Sequence, residues 1–574
     1  MEYENSMGLL DRRRLLMVQR DSIFDTILYA DGTMIIAEDP AHHDDNVALH
    51  GEVTKTYKGT WVDTYTGSYN NQPWKNERDS IINVYVDTPV KLKKASDLFY
   101  NIANVETITG LEKFDMSEVT SLSGMFGMGT RGPSNNYPLT TISGIEQWDT
   151  SKVKSLRNSF TGRNNLTSLD LSNWDVSNVT DMYDMFDYCR GLTSVNVSTW
   201  NTSKVTNMEG VFSNCYALTD VDVSSFNTAN VTTMKDMFYM CGKLQSLDVS
   251  NWNTSKVTTM SNMFDSCKVL TTLDVSNWNT SKVTSMLSMF NACEKLTALN
   301  LSNFDTSNVS GLGLQYMFNT CYKLTTVGDI SNWNISKVTS LSQLFNNCNN
   351  LLDPVDVSNW DTSNVTNMSR LFSCCYKLTT IDVSKWNTSK VTTMDSLFRR
   401  CDLVTALDTS RWDTSNVNNM SSMFSGCKSI TSLNLSNFNT SKVTNMSSMF
   451  SSTTSLTSLN LSSFNTEKVT NMSSMFFGKI GLSTIDVSSF NTRNVTNMYR
   501  MFGYDSNVGD LVLKTIKVGP NFTTNSVTNS SDMFYYRSKL VGGAGTTWSL
   551  SNPTDKTYAH IDGGTANPGY FTSI

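Results

Sequence analysis

The chain has 574 residues, 39% of them hydrophobic, and its mean hydropathy is −0.27, values that exclude wholesale disorder. Its net charge of −7 is small for this length and gives no basis for binding nucleic acid, which needs clustered Lys and Arg. No apolar stretch of about 18 residues occurs, so no membrane insertion is predicted.

Residues 1–20 form a short basic, amphipathic segment that includes GLLDRRRLLMVQR. Its apolar side is too small for a domain, and we expect such an arm to dock on another protein. Charged residues flank the apolar run, whereas a secretory signal needs a continuous apolar segment and a small-residue cleavage site. We therefore predict an anchoring arm and no ordinary export signal. The predicted anchoring residues are Leu9, Leu10, Arg12, Arg13, Arg14 and Leu15.

Residues 21–92 are predicted to form a small β-rich domain. The segment ILYADGTMIIAED places an Asp-Gly turn between two apolar runs, which predicts a hairpin. The segments TYKGTWVDTYTG and SIINVYVDTPVKL predict further strands.

Three of the four histidines, His42, His43 and His50, cluster in AHHDDNVALH. They are of a type that binds metals, but they lie in a polar connection without a helix or strand to frame them. We predict an exposed loop and no metal site.

The main feature of the chain is a phrase of 26 residues, such as LTTLDVSNWNTSKVTSMLSMFNACEK, that recurs about sixteen times between residues 93 and 540. Such a period predicts a solenoid, in which each unit buries its apolar side only against its neighbours. The phrases align on one phenylalanine each, which we call the ladder phenylalanines. They are Phe126, Phe160, Phe186, Phe212, Phe238, Phe264, Phe290, Phe318, Phe345, Phe372, Phe398, Phe424, Phe450, Phe476, Phe502 and Phe534.

Each repeat is predicted to contain a strand and a short helix. Leu273 and Val275 alternate as the buried side of a strand, and Val283, Met286 and Phe290 form an apolar stripe typical of a helix. We therefore predict an α/β solenoid with a parallel strand ladder on its concave face and short helices on its convex face. Residues 541–574 would form a C-terminal cap.

The pattern L-x-x-L-x-L/V, the continuation SNWDTSxVTxMSxMF and a Cys three residues after the phenylalanine resemble the BspA-like leucine-rich-repeat family of surface proteins. The closing segment TYAHIDGGTANPGYFTSI is similar to the end of many such arrays. The resemblance implies adhesion or binding and no catalysis. Where a standard repeat has an Asn ladder, this chain has Trp or Phe, so we expect an aromatic stack at that corner; the alternative is a sugar-stacking platform. These residues are Trp174, Trp200, Phe226, Trp252, Trp278 and Phe304.

Ten of the eleven cysteines lie three residues after successive ladder phenylalanines, from Cys189 to Cys427. We predict a column of buried thiols. Disulfides between repeats are geometrically conceivable, but Thr453, Lys479 and Asp505 replace the cysteine in later repeats. Zinc is disfavoured because no paired C-x-x-C spacing is present.

A column of Asp and Asn follows the outward side of the predicted strands, and two readings of it remain open. It is either a polar recognition surface for glycan or protein, with bridging Ca²⁺ as a variant, or a solvated sheet face that resists aggregation. The candidate binding residues on this face are Asp222, Asp248, Asp274, Asn300, Asp356 and Asp382.

Repeats that depart from the period supply a second set of candidates, because inserted residues bulge from one face and loops often carry binding. The irregular segments are VSGLGLQYMF, VGDISNW and LLDPVDV. Their candidate residues are Tyr316, Asp329 and Asp353.

No Ser/His/Asp constellation, phosphate-binding glycine loop or metalloprotease motif occurs, so we predict no enzyme activity and no cofactor. The first residues resemble the starts of structural proteins of phages that infect gut Bacteroides-type bacteria. A phage protein needs no export signal, so we expect a virion-surface fibre or decoration protein. Its arm would hold other virion proteins, its solenoid would bind host-surface glycan or protein, and its anchor would make it a homodimer or homotrimer. The alternatives are a bacterial cell-surface adhesin and an intracellular scaffold.

Overall fold

The computed structural model describes residues 25–37, 43–129, 136–505 and 512–574, and the chain divides into two compact units between Asp248 and Val249. We call them unit 1 and unit 2. The predicted anchoring residues between Leu9 and Leu15, and also His42, lie outside the described residues.

Unit 1 begins with a five-stranded sheet in the order β3-β1-β2-β4-β6. The first two strands form the predicted hairpin, antiparallel about Gly32, whose φ of 85° only glycine adopts easily. The last two pairings, β2 with β4 and β4 with β6, are parallel. The strands are β1 (Asp25–Tyr29), β2 (Thr33–Ala37), β3 (Val53–Lys58), β4 (Asn83–Val86), β5 (Val90–Lys91) and β6 (Thr107–Thr109).

Two helices lie beside this sheet, α1 (His43–His50) and α2 (Trp61–Thr64). The prediction of a loop without a frame around the histidines is therefore wrong for His43 and His50. The first helix ends at His50, whose imidazole lies 2.8 Å from the carboxylate of Asp31 in the hairpin turn. This contact is an ion pair when the ring is protonated.

The repeats pair in parallel through very short strands. In unit 1 these are β7 (Phe114–Asp115), β8 (Ser168–Asp170) and β9 (Ser194–Asn196), and in unit 2 they are β10 (Ser432–Leu433), β11 (Ser458–Leu459), β12 (Thr484–Val487), β13 (Thr515–Val518) and β14 (Phe571–Ser573). Most other neighbouring repeats meet through single parallel bridges, such as Asp181 with Asn207. The fold is a repeat fold with small separate sheets in place of the predicted strand ladder.

The predicted convex helices are wrong, because a run of successive turns occupies that segment in every described repeat. The amides of Met182, Asp184 and Phe186 donate to the next repeat, at 2.9–3.0 Å. The intervening residues close i to i−3 turns instead, as Met185 does onto Met182 at 3.2 Å. In an α-helix each of these amides would donate to the carbonyl four residues earlier in the same segment. Because every second amide donates to the next repeat instead, a helix cannot form.

Aromatic rings stack along each unit and fill its core. Phe186 and Phe212 lie 5.5 Å apart in unit 1, and Phe264 and Phe290 lie 5.8 Å apart in unit 2. The Trp corner is buried as predicted, and the indole of Trp200 donates to the carbonyl of Leu171 in the preceding repeat at 2.9 Å. The indole N–H thus links neighbouring repeats at this corner.

Candidate functional site

The Asp and Asn column on the strand side is engaged in local turns. In unit 1, Oδ1 of Asp222 accepts the amide of Ser224 at 3.0 Å and its hydroxyl at 2.7 Å. In unit 2, Asp274 holds Ser276 in the same way, and these bonds lower the pKa of its carboxyl. The turn needs only a side-chain carbonyl oxygen, so it explains why Asn replaces Asp without loss of structure. The other strand-side candidates in unit 2 that form this turn are Asn300, Asp356 and Asp382.

The threonines beside that column are also engaged with their neighbours. The hydroxyl of Thr193 donates to the carbonyl of Thr167 in unit 1, at 2.9 Å, and Thr325 donates to Thr297 in unit 2, at 2.8 Å. Asp248 is exposed, at the end of unit 1. The strand side therefore exposes carboxylates, but its polar groups serve the repeat itself.

The three candidates from the irregular repeats have separate local roles. Tyr316 belongs to a turn and has a φ of 60°, while Asp329 holds the amide of Ser331 at 2.9 Å. Asp353 accepts the amide of the next repeat's Thr379 at 3.0 Å and so joins two repeats. Two of the three thus have structural bonds of their own.

A different surface varies most from repeat to repeat. We define the turn face as the solvent-facing side chains three and two residues before each ladder phenylalanine and one, two and four residues after it. In unit 1 this face carries charged and aromatic side chains, none of which sequence reasoning singled out. Its main members are Arg157, Tyr183, Tyr188, Arg190, Glu209, Tyr216, Lys235 and Tyr239.

These side chains contact one another across repeats. The guanidinium of Arg157 lies 3.8 Å from the ring centre of Tyr183, and that of Arg190 lies 4.7 Å from Tyr216. The hydroxyl of Tyr216 reaches the sulfur of Met240 at 2.9 Å. The result is a row of half-buried rings and cations, the composition that dominates binding energy in protein interfaces.

The equivalent positions in part of unit 2 carry serine, as in MSSMFSG and MSSMFSS from Met420 to Ser452. Both segments share the backbone of unit 1, with left-handed φ values at Asp184 and Tyr188 in unit 1 and at Ser448 and Ser452 in unit 2. Serine therefore satisfies the fold, and the rings and charges of unit 1 are additional. Sorting residues by their distance from the ladder phenylalanines would have revealed this difference from the sequence.

Two cavities open at the start of the turn face in unit 1. The larger has a volume of about 460 Å³ and is lined by Tyr69, Asp97, Tyr100, Asn101, Ser123, Gly124, Arg157 and Asn158. The smaller, of about 360 Å³, shares Tyr69 and Asn101 with it. Burial raises the pKa of Asp97, whose carboxylate accepts the amide of Tyr69 at 3.1 Å.

The cysteines form the predicted buried column. All eleven are free and buried, and the thiol of Cys189 in unit 1 donates to the carbonyl of Phe160 at 3.1 Å. In unit 2, burial raises the pKa of Cys427 to about 12, so its thiol stays protonated. Within the described residues no three His, Cys, Asp or Glu side chains are placed to hold a metal. In the same part of the chain, no helix has both the length and the apolar character to cross a bilayer.

A family model described as "Mycoplasma protein of unknown function, DUF285" matches residues 93–194, 134–247, 240–351, 312–432 and 457–566. A search of curated proteins gives no match.

Solved structures that resemble the chain include two bacterial leucine-rich-repeat proteins and a domain of InlJ. One, from Eubacterium ventriosum, is 16% identical, with 64% of this chain and 95% of that chain covered and a TM-score of 0.28. A Leptospira interrogans protein is 12% identical, covering 62% and 85%, with a TM-score of 0.19. The functional domain of InlJ from Listeria monocytogenes, which includes a cysteine ladder, is 15% identical, covering 82% and 71%, with a TM-score of 0.24.

Proposed function

This chain belongs to the DUF285 family, and from that premise we propose that it is a non-enzymatic recognition protein that binds a surface macromolecule through the turn face of unit 1. One observation carries the proposal: turn positions that serine fills elsewhere hold three half-buried tyrosines, Tyr183, Tyr188 and Tyr239, and the exposed Arg157 in unit 1. Because the fold does not require those side chains, a binding role accounts for them best.

The strand side is the competing surface. Its Asp and Asn residues vary little. Five of them accept the amide of the serine two residues later and so close a turn, as Asp222 does with Ser224. A recognition surface that distinguishes ligands needs side chains that differ, and the turn face of unit 1 has them.

Substitutions on the two faces separate these alternatives. The full-length protein, labelled with a fluorophore, is applied to mucin-coated surfaces and to epithelial cell monolayers. Replacing Tyr183 by Ser and Tyr216 by Thr, residue types that other repeats carry at these positions, should lower binding about tenfold or more, a loss of about 1.4 kcal/mol or more. The strand-side control Asp222→Asn keeps the turn and should bind normally. Normal binding by the tyrosine variant, with loss in Asp222→Asn, would move the site to the strand side.

We propose the surface of a bacterial cell as the place where the protein acts, with a virion surface as the second candidate. The family description, a Mycoplasma protein, supports the first. The virion candidate rests on residues 1–20, which lie outside the described chain. Density-gradient fractionation of a lysed source culture separates them: recovery with envelopes of intact cells supports the adhesin, and recovery with phage particles overturns it.

A further inference from the structure

We propose that the larger cavity of unit 1 binds a neutral sugar ring, an inference that rests on the proposed recognition function and names its ligand class. The cavity lies at the N-terminal end of the turn face, where Asp97 and Tyr100 flank Phe99, itself stacked on the ladder phenylalanine Phe126 at 5.8 Å. Its volume of about 460 Å³ accommodates a saccharide unit.

Two tyrosines supply the flat apolar walls that the C–H face of a sugar needs. Tyr69 and Tyr100 meet edge to face with ring centres 5.2 Å apart, and both rings line the cavity. The guanidinium of Arg78 lies 4.0 Å from the ring centre of Tyr69 and holds that ring in place. The walls are thus fixed before a ligand arrives, which reduces the entropic cost of binding.

Asp97 supplies the polar contact. Its carboxylate is half-buried and accepts one hydrogen bond from the protein, at 3.1 Å from the amide of Tyr69. A desolvated carboxylate gains most from O–H donors, because charge-assisted hydrogen bonds are short and strong. Adjacent hydroxyls of a pyranose present two such donors on one edge, so one carboxylate can hold both.

Charge decides between a sugar and a cation. A cationic ligand would also suit a carboxylate between two tyrosines, but Arg157 lines this cavity and Arg78 covers one of its rings. An acidic sugar would instead bring a carboxylate towards Asp97. A neutral hexopyranose avoids both repulsions. The second cavity, of about 360 Å³, shares Tyr69 and Asn101 with the first and leaves room for a further sugar unit.

Unit 1 also contains a matched control for Asp97. Asp184 occupies the same position two residues before its phenylalanine and has the same left-handed backbone, with φ of 52° against 57° for Asp97. Each carboxylate lies against a glycine of the next repeat, so that an added Cβ on Gly124 or Gly210 would contact it. Asp184 is buried and does not line either cavity.

The test is calorimetric titration of the full-length protein with glucose, galactose, mannose, N-acetylglucosamine and N-acetylneuraminic acid, and with disaccharides of the neutral sugars. At least one neutral sugar should bind. Asp97→Asn should weaken the binding of that sugar about tenfold or more. Asp184→Asn should have a melting temperature similar to that of Asp97→Asn and should bind the sugar normally. Saturation-transfer NMR should show contact between sugar protons and tyrosine rings, and Tyr100→Ala should abolish it.

Three outcomes would overturn the inference. They are no binding by any neutral sugar, binding of the acidic sugar alone, and equal loss in the two aspartate variants. The proposed function fails separately, through normal mucin and cell binding by the Tyr183 and Tyr216 variant, because those residues lie outside the cavity.

Discussion

At the scale of single residues, the thiols of the cysteine column act as hydrogen-bond donors. In unit 2, Cys293 is fully buried and its thiol donates to the carbonyl of Phe264 at 3.2 Å. Burial also raises its pKa well above the usual value, so the reactive thiolate is absent. Cys374, outside the column, is the most exposed cysteine at 5%.

We therefore expect the native protein to resist thiol alkylation. Iodoacetamide at about pH 8, where a free thiol is partly ionised, should leave the column unmodified and react slowly at Cys374. Peptide mass spectrometry locates the adducts, and the denatured protein, as control, should carry all eleven. Rapid native labelling of Cys293 would contradict the buried column.

Two arginines replace the column cysteine near the ends of the array. Arg163 follows Phe160 in unit 1, and Arg537 follows Phe534 in unit 2; both are fully buried. Arg163 donates to the carbonyls of Phe126, Ile102 and Phe99, at 2.5, 3.1 and 3.4 Å. The guanidinium of Arg163 thus donates to the phenylalanine carbonyl that a cysteine thiol would bond, and also to two further carbonyls. It does so where a neighbouring repeat has no cysteine of its own.

Replacing Arg163 by Met should destabilise unit 1 by about 2–4 kcal/mol, because each buried carbonyl left without a donor costs about 1–3 kcal/mol. Relief of the buried charge offsets part of that cost. Arg163→Cys, which restores a single donor, should fall between Met and the wild type. The control Arg157→Met is exposed and should change stability by less than about 0.5 kcal/mol, measured by urea unfolding. Equal effects of the two Met variants would refute the role of Arg163 as the donor to these carbonyls.

At the scale of elements, the turn segment depends on left-handed residues at fixed positions. Ser422 has a φ of 55°, whereas its neighbour Ser421 does not adopt a positive φ, and both are half-buried. A β-branched residue is strained in that region by about 1–2 kcal/mol. Because Ser422 already carries part of this strain, we expect Ser422→Val to lower the free energy of unfolding by at most that amount, and the matched control Ser421→Val to leave it nearly unchanged. Thermal unfolding measures the effect. Similar losses of stability in both variants would mean that the added side-chain volume, and not the backbone conformation, causes the loss.

The same segment shows where sequence reasoning ends. The spacing of Leu273 and Val275 predicts buried residues, and the turn chemistry of Asp-Gly predicts the hairpin, because each of these two patterns has one structural meaning. Val283, Met286 and Phe290 recur at three- and four-residue steps, which successive turns produce as readily as a helix does. Only the bonds to the next repeat distinguish the two. The cavity around Asp97 was equally hidden, because its lining residues are distant in sequence.

The C-terminal segment is held by one carboxylate. Asp562 is buried and accepts the amides of Ala544 and Thr546 at 2.8 and 2.9 Å, the hydroxyl of Thr546 at 2.6 Å and the amide of Gly564 at 2.9 Å. Burial opposes its ionisation, but these bonds outweigh burial and lower the pKa of the carboxyl far below its usual value.

The lowered pKa predicts an acid transition of this segment. Because the folded pKa lies below the unfolded value of about 3.9, the stabilisation is complete above about pH 4 and is lost as the pH falls towards the folded pKa. Asp562→Asn should destabilise the segment at neutral pH and remove that dependence, as read from hydrogen exchange at β14. Asp555→Asn, whose carboxylate accepts the amide of Thr557 outside this cluster, is the control. An unchanged acid profile in Asp562→Asn would assign the transition to other carboxyls.

At the scale of the whole molecule, stability in a repeat fold is a sum of nearly independent repeats and their interfaces, so one complete repeat is removable. Deleting residues 393–418 of unit 2 joins Thr392 to Asn419 and preserves the register. Both Thr393 and Asn419 form the same parallel bridge to a preceding repeat, so Asn419 can take its place beside Asn367. Cys427, which donates to Phe398 at 3.1 Å, would meet the equivalent carbonyl of Phe372.

We expect this deletion to fold with a small loss of melting temperature and full binding to mucin and cells, because unit 1 is intact. Deleting residues 393–405 is the matched control. It removes half a repeat and would place the buried residue Leu407 where the turn segment belongs. Residues 419–431 would then lose their partners in the preceding repeat, residues 393–405. Circular dichroism and hydrogen exchange should therefore show unfolding of the repeats that meet at the junction. If both deletions unfold alike, the repeats of unit 2 are not interchangeable and the irregular segments before them fix the register.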